Sequence, residues 1–233
     1  MNISEIKKGI QATWAVAFGF IPLGLAFGLL VTQYGFAWWW APIFSTVIFA
    51  GSMEYLALGM VTAGMAWPTA LLTGFLVNFR HIFYGLTYPR HLIKSRLGRA
   101  YATYALIDEA YAVTAPYGPK GKGLTGTSLL TISIFLQTLW VGSGLVGALG
   151  GSAIQIHLKG LDFALTALFV VLAVESFESN RDYSLPLLAI AAAVLAVVIN
   201  ASQMLLIALV LYFVILLARF WSPNLDKKME VRR

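Results

Sequence analysis

The chain contains no cysteine and few charged residues. Of its 233 residues, 11% are Asp, Glu, Lys or Arg and 59% are hydrophobic. The absence of cysteine excludes a disulfide framework, a zinc ribbon and a thiolate cluster. Because soluble domains carry about 25% charged residues, a chain this poor in charge is suited to lipid rather than water. The composition predicts an all-α, polytopic integral membrane protein built as a helical bundle.

Motifs for ATP hydrolysis and for familiar enzyme chemistry are also absent. The sequence has no HExxH, no GxSxG and no Walker A motif. Its glycine-rich stretch 118–123 is followed by Leu124, where a Walker motif requires lysine. We therefore expect no enzyme activity, no cofactor and no metal site. Transport would be driven by an ion gradient or by the gradient of the substrate, unless a separate ATPase subunit supplies the energy.

Long apolar segments dominate what is present. A crossing helix needs about 20 apolar residues, whereas residues 185–219 would extend about 52 Å as one helix. Asn200 and Ser202 therefore predict the turn of a helical hairpin. We predict one transporter domain, 1–233, with a polar N-terminus (1–10), a basic loop (88–123) that contains an amphipathic or short membrane helix, and a polar C-terminal tail (222–233). The predicted spans are approximately 12–32, 41–64, 67–87, 124–149, 161–177, 184–199 and 201–219.

The number of crossings depends on segment 100–117, which is long enough to span but contains Asp108 and Glu109. If it does not cross, there are seven spans, the N-terminus is outside, the C-terminus is inside, and twelve of fifteen counted basic residues are inside. If it crosses, there are eight spans, both termini are inside, and ten of the fifteen are inside. The positive-inside rule favours seven. The basic clusters are then cytoplasmic flanks of helices, and no nucleic-acid partner is expected.

Glu54 lies within an otherwise uncharged run, 41–67. An acid at membrane depth costs about 2.5–3.5 kcal/mol and usually marks function. Gly51 weakens the helix beside it, and the Ser52 hydroxyl can bond to nearby carbonyls. We predict that Glu54 carries protons for coupling or binds a substrate ammonium group. The alternative is a protonated acid that is hydrogen-bonded within the bundle.

Asn78, Arg80, His81 and Tyr84 form a polar group near the end of a predicted span. Arg80 suits a carboxylate of a substrate or of the protein, and His81 could relay protons near neutral pH. Two alternatives stay open for Arg80. Its side chain could extend to the cytoplasmic interface, or it could form a salt bridge with one of the three acids Glu54, Asp108 and Glu109.

Asp108 and Glu109 are adjacent, so on a helix they point about 100° apart and cannot share one face. We predict that one faces the bundle and the other a cytoplasmic vestibule, with a solvated amphipathic helix as the alternative. Pro22 lies inside the first span and removes a backbone donor. It predicts a broken helix whose N–H groups could bind a substrate carboxylate, with an ordinary proline kink as the alternative.

Two glycine pairs, Gly24/Gly28 and Gly147/Gly151, have the small-xxx-small spacing that lets helix backbones approach closely. We interpret both pairs as helix-packing positions.

The motifs, taken in order, resemble the AzlC family of branched-chain amino acid permeases. The most specific are Phe-Ala-Gly-Ser at 49–52 and Arg-His-x-x-Tyr-Gly at 80–85, and the resemblance also covers 19–28 and 108–112. It implies a protein of the bacterial inner (cytoplasmic) membrane that exports branched-chain amino acids. It also implies a small, separately encoded AzlD-type membrane subunit as partner.

The sequence therefore predicts a secondary transporter that exports hydrophobic amino acids, with broken helices near the substrate site. Either the broken helix at Pro22 or Arg80 would hold the substrate carboxylate. Glu54 would hold the ammonium group or carry a proton. The alternative is a channel-like or structural membrane subunit of a larger transport complex.

Overall fold

The computed structural model describes residues 3–154 and 181–231 and seven residues between them: 163, 166, 170, 173, 174, 177 and 178. All regular elements of this described part are helices, which confirms the all-α prediction. They are α1 (Ile3–Gln33), α2 (Trp40–Val47), α3 (Gly51–Thr62), α4 (Trp67–Asn78), α5 (Arg80–Thr87), α6 (Arg96–Tyr104), α7 (Asp108–Thr114), α8 (Gly126–Ile154), α9 (Ser184–Ile199), α10 (Met204–Trp221) and α11 (Pro223–Met229), with 3-10 turns at Arg90–Leu92, Ala115–Tyr117 and Ala201–Gln203.

The chain divides into two compact units, one of Met1–Gly59 with Phe79–Ala164 and one of Met60–Asn78 with Leu165–Arg233. We describe each unit by itself and call them unit 1 and unit 2. The prediction of one transporter domain over 1–233 stays a prediction.

Within the described residues, three helical stretches are long and apolar enough to cross a membrane: Val16–Gln33, Gly126–Ala153 and Ala201–Trp221. The 16 residues of α9 form a shorter apolar helix. These four stretches correspond to four of the predicted spans. The predicted span 161–177 lies outside the described residues, apart from the few positions given above.

The other predicted membrane segments are interrupted helices. Segment 41–64 is divided into α2 and α3 at residues 48–50, where Phe49 has a φ of +41°. Segment 67–87 is divided at Phe79 into α4 and α5, and segment 100–117 contains the break between α6 and α7 at 105–107. A charged residue lies in the first turn of each second half, namely Glu54, Arg80 and Asp108.

Pro22 does not break its helix, so the predicted broken helix at this position is wrong. The helix α1 continues through Pro22 over 31 residues. Proline removes only one backbone donor, whereas α1 packs along α8 with Phe20 and Phe27 buried on either side of the proline. This long contact keeps the helix continuous despite the missing hydrogen bond.

The two predicted glycine pairs lie in this contact between α1 and α8, which confirms their packing role. A Cβ atom on Gly28 would clash with the Gly144 carbonyl oxygen, and one on Gly147 would clash with the Leu25 carbonyl oxygen. Any larger side chain would therefore push the two backbones apart.

The helices α1 and α8 run parallel. Gly9 faces Thr131 near the start of both helices, and Gly151 faces Thr32 near the end of both. If both helices cross the membrane, they begin on the same face. The arrangement that has the N-terminus outside and loop 88–123 inside does not fit two parallel helices that both cross, and the number of spans stays a prediction.

Segment 93–121 leaves the start of α8 and returns to it. Gly98 of α6 lies against Leu130, and the Tyr101 hydroxyl donates to the Gln137 side chain at 2.6 Å, further along α8. On the return, Gly121 lies against Leu92. The segment thus leaves and returns to the same end of α8, as expected of a segment that does not cross. That 100–117 does not cross the membrane stays a prediction.

Among the described residues of unit 1, the basic residues outside the apolar segments lie at the end of the unit where α1 and α8 begin. Clusters of Lys and Arg are typical of a cytoplasmic face. Eight Lys and Arg residues in 3–154 lie outside the apolar segments, and all belong to the N-terminus of α1 or to the loops beside the start of α8: Lys7, Lys8, Arg90, Lys94, Arg96, Arg99, Lys120 and Lys122.

In unit 2, α9 and α10 form the predicted hairpin, and α4 packs against α10. The Asn200 side chain accepts the Ser202 N–H at 2.9 Å within the turn. The end of α10 is fixed by Arg219, which donates to Asp182 and to Asp226 at 2.7 Å each.

Candidate functional site

The Glu54 carboxylate accepts hydrogen bonds at the break between α2 and α3. Because the helix stops, the Ala50 N–H no longer donates to the Thr46 carbonyl and instead donates to Glu54 Oε1 at 3.2 Å. Ser45 Oγ donates to Oε2 at 2.7 Å, and Trp140 Nε1 lies 2.9 Å from both oxygens. The glutamate is 0% exposed. A carboxylate can accept from all three donors at once.

The Thr46 carbonyl, which loses its helical donor at the same break, also has a hydrogen-bond partner. The Tyr104 hydroxyl donates to the Thr46 carbonyl oxygen and accepts from Gln137 Nε2 at 2.8 Å. Unpaired backbone groups are costly away from water. Glu54 and Tyr104 therefore replace the two ends of one missing helical hydrogen bond, and Tyr104 ties α6 to the break.

The second polar group is the ion pair between Arg80 and Asp108, which confirms one of the salt bridges considered above. Arg80 Nη2 donates to Asp108 Oδ2 in a short hydrogen bond. The two side chains are 37% and 24% exposed, so this pair is open to its surroundings whereas Glu54 is enclosed. His81 Nε2 lies 3.9 Å from Asp108 Oδ1.

Aromatic rings stand beside this ion pair. Tyr84 stacks on Tyr111 with ring centroids 4.3 Å apart, and the Tyr111 hydroxyl lies 2.9 Å from Thr87 Oγ1. The His81 ring contacts Tyr84 edge-on at 5.4 Å. The first helical turns of α5 and α7 thus combine a cation, an anion and an apolar surface.

Each member of the ion pair has one buried polar atom without a hydrogen bond among the described residues. Arg80 Nε and Asp108 Oδ1 are both buried and lack a hydrogen-bond partner among the described residues. An unsatisfied buried polar atom costs about 1–3 kcal/mol. The complementary ligand would provide an acceptor and a donor close together.

The remaining predicted site residues have other surroundings. The open side of Gly51 faces the Trp140 ring, and Ser52 is buried in α3. Asn78 donates to the Gly74 carbonyl of its own helix at 3.0 Å. Glu109 follows Asp108 in α7 and is half-buried. Among the residues that the structure describes, no three His, Asp or Glu side chains are placed to hold a metal ion.

Sequence reasoning missed Trp140 and Ser45 as partners of Glu54 and did not assign Tyr111 to the Arg80 group. One signal was available. Trp140 lies well inside an apolar segment, whereas membrane tryptophans favour the interface. A mid-segment indole N–H needs a buried acceptor, and Glu54 was the evident candidate.

The AzlC protein family model matches residues 15–154, which include both polar groups. The chain belongs to the AzlC family. This confirms the resemblance inferred from the motifs. The AzlC family chain is therefore a membrane protein, in agreement with its apolar helices.

Relatives from several bacteria support this assignment. An uncharacterized membrane protein of Helicobacter pylori strain J99 is 30% identical over 211 residues, which cover 90% of this chain and 92% of that protein. The branched-chain amino acid transport protein AzlC of Bacillus subtilis is 26% identical over 180 residues, covering 77% and 71%. The inner membrane protein YgaZ of Escherichia coli is 26% identical over 189 residues, covering 77% and 76%. No solved structure matches the chain significantly.

Proposed function

We propose that this chain is a secondary transporter that exports branched-chain amino acids across the bacterial inner membrane, together with a small AzlD-type membrane subunit. The ion pair between Arg80 and Asp108, with its spare donor and acceptor, is the observation that carries the proposal. The name of the Bacillus subtilis relative supports the substrate class.

An α-amino acid has the complementary groups. Its carboxylate would accept from Arg80 Nε, and its ammonium group would donate to Asp108 Oδ1. Guanidinium has five N–H donors in a planar fork, so Arg80 can hold Asp108 and a substrate carboxylate together. The stacked rings of Tyr84 and Tyr111 offer an apolar surface to an aliphatic side chain.

Glu54 is proposed as the proton-coupling group. As a carboxylate it accepts from three donors at the break between α2 and α3. Protonation adds a donor and removes acceptor capacity, so at least one of these hydrogen bonds weakens. Uptake of a proton would thereby loosen the break and, through Tyr104, its link to α6.

The alternative is a channel-like or structural subunit of a transport complex. The complete hydrogen bonding of Glu54 favours it, because a structural acid needs no more than these partners. The two functions differ in substrate-dependent exchange, which only a transporter catalyses.

Counterflow in proteoliposomes tests the proposal. Full-length protein would be reconstituted with and without the partner subunit into vesicles that contain unlabelled leucine, and entry of labelled leucine would be followed. We expect leucine, isoleucine and valine to exchange and glutamate and lysine not to. A protonophore should abolish acceleration by a pH gradient. Absence of exchange with the partner present would contradict transport and support a structural role.

A further inference from the structure

A basic cavity lies in the loop 88–123 of unit 1, and its lining residues belong to neither of the two polar groups described above. Its volume is about 610 Å³, and it is lined by Arg90, His91, Arg99, Ala100 and Thr103. The lining contains two arginines and a histidine but no carboxylate.

The elements that line the cavity are held by an apolar cluster. The turn Arg90–Leu92 follows buried Tyr88 and precedes buried Ile93, and both residues pack in one apolar cluster with Ala102 of α6. The N-terminus of α6 is capped by Ser95, whose Oγ accepts the Gly98 N–H at 3.0 Å. The turn and the helix that supply the two arginines are therefore held together by core contacts.

The arginines of the cavity lack counter-ions. Within the described residues, neither Arg90 nor Arg99 lies within salt-bridge distance of a carboxylate, whereas Arg80 and Arg219 are both paired. Arg99 Nη1 reaches only the Ile93 carbonyl, at 3.5 Å. Two like charges around one cavity repel each other, and a bound anion would remove this repulsion.

An apolar side chain near the cavity indicates the source of the anion. Leu97 is 86% exposed and lies one helical turn before the cavity residue Ala100 on α6. A leucine this exposed suits acyl chains better than water. Basic pockets on the cytoplasmic side of membrane proteins bind anionic lipid headgroups. We propose that this cavity binds the phosphate headgroup of an anionic phospholipid from the cytoplasmic leaflet.

Native mass spectrometry of the delipidated full-length protein tests this site. The protein would be titrated with phosphatidylglycerol, with phosphatidylcholine and with inorganic phosphate. The variant Arg90→Gln/Arg99→Gln removes two cavity charges, and Lys94→Gln/Arg96→Gln removes two exposed charges of the same loop that do not line the cavity.

We expect the cavity variant to weaken phosphatidylglycerol binding about tenfold or more and the control variant to weaken it less than about threefold. Phosphatidylcholine should bind weakly to all three proteins. Equal losses in both variants would overturn the proposal, because general surface charge would then explain binding. Competition by millimolar inorganic phosphate would overturn the lipid assignment and identify free phosphate as the ligand.

Discussion

At the scale of single residues, the indole N–H of Trp140 is the donor that reaches both oxygens of Glu54. The substitution Trp140→Phe keeps a ring beside Gly51 but deletes this donor. Hydrogen bonds to charged groups contribute about 1.5–3 kcal/mol, so we expect a loss of that size in the free energy of unfolding. Thermal unfolding in detergent would measure it as a lower midpoint.

The matched control for this variant is Trp14→Phe, because Trp14 is 58% exposed and has no contact with Glu54. It should leave the midpoint nearly unchanged. If both variants lowered the midpoint equally, the bond between Trp140 and Glu54 would not be the cause.

The substitution Glu54→Gln distinguishes a proton-coupling role of Glu54 from a purely structural role. Glutamine has nearly the same size and can keep these partners, because its Oε1 can accept from Ala50 and Trp140 while its Nε2 donates to Ser45 Oγ. It cannot, however, alternate between charged and neutral forms. We expect this variant to assemble and to exchange leucine, but to show no acceleration by an imposed pH gradient in proteoliposomes. A response to the gradient equal to that of the wild type would exclude Glu54 from coupling.

Residue types predicted which charged residues belong to the polar groups better than they predicted which residues bond to them. Charges are costly in lipid, and this singled out Glu54, Arg80 and Asp108. The structure gives each of the three a hydrogen-bonded or ion-paired partner. Partner choice could not be predicted from local sequence. Trp140 reaches Glu54 from 86 positions away along the chain, and this contact depends on how α8 packs beside the break.

At the scale of elements, Glu54, Arg80 and Asp108 each lie in the first turn after a break in a helical segment. A break in a membrane helix frees backbone groups that must find partners, and Glu54 and Tyr104 provide them at residues 48–50. The proline pattern predicted a break at Pro22, but this position is spanned by the contact between α1 and α8. The break at residues 48–50 contains no proline, and the local feature that indicated it was Gly51, directly after the break.

The C-terminal element of unit 2 is fixed by a buried acid. Asp182 is 2% exposed and accepts from Arg219 at 2.7 Å and from the Val231 N–H at 3.0 Å. Burial raises the pKa of the Asp182 carboxyl, but hydrogen bonds from Val231, Arg219 and Ser184 outweigh this effect and hold the pKa well below its usual range.

We expect Asp182→Asn to destabilise unit 2 by about 3–5 kcal/mol, because it leaves the buried Arg219 with one acid fewer. A depressed folded-state pKa stabilises the protein above the unfolded pKa of about 3.9. The difference from wild type should therefore be constant from pH 7 to about 4 and shrink below that. Unfolding midpoints across this pH range would show it, with the exposed Glu178→Gln as control. A difference that does not change with pH would contradict an ionised Asp182.

At the scale of the whole molecule, the parallel course of α1 and α8 fixes which segments share a face. We expect Lys7→Cys and Lys94→Cys both to resist an impermeant thiol reagent in intact cells, and Ala37→Cys, beyond the other end of α1, to react. The natural chain has no cysteine, so background labelling is absent. Labelling of Lys7→Cys without labelling of Lys94→Cys would contradict the parallel arrangement.

The positive-inside rule predicted that 100–117 does not cross and that the N-terminus lies outside, whereas the parallel course of α1 and α8 puts the N-terminus at the same end as the start of α8. Hydropathy does not distinguish one continuous helix from two half-helices, so the sequence could not predict the breaks within 41–64 and 67–87. The contacts between α1 and α8 show that these helices run parallel, and the eight basic residues of 3–154 outside the apolar segments then lie at the end where both helices begin.

The central claim, that Arg80 anchors the carboxylate of a transported amino acid, is tested most directly by leucine counterflow with Arg80→Lys. A point charge cannot replace a planar fork that binds Asp108 and a substrate at once. We predict that Arg80→Lys loses about tenfold or more of the exchange rate, nearly as much as Arg80→Ala, while the exposed Arg96→Lys exchanges like the wild type at equal membrane abundance. Exchange by Arg80→Lys at the wild-type rate would contradict the account.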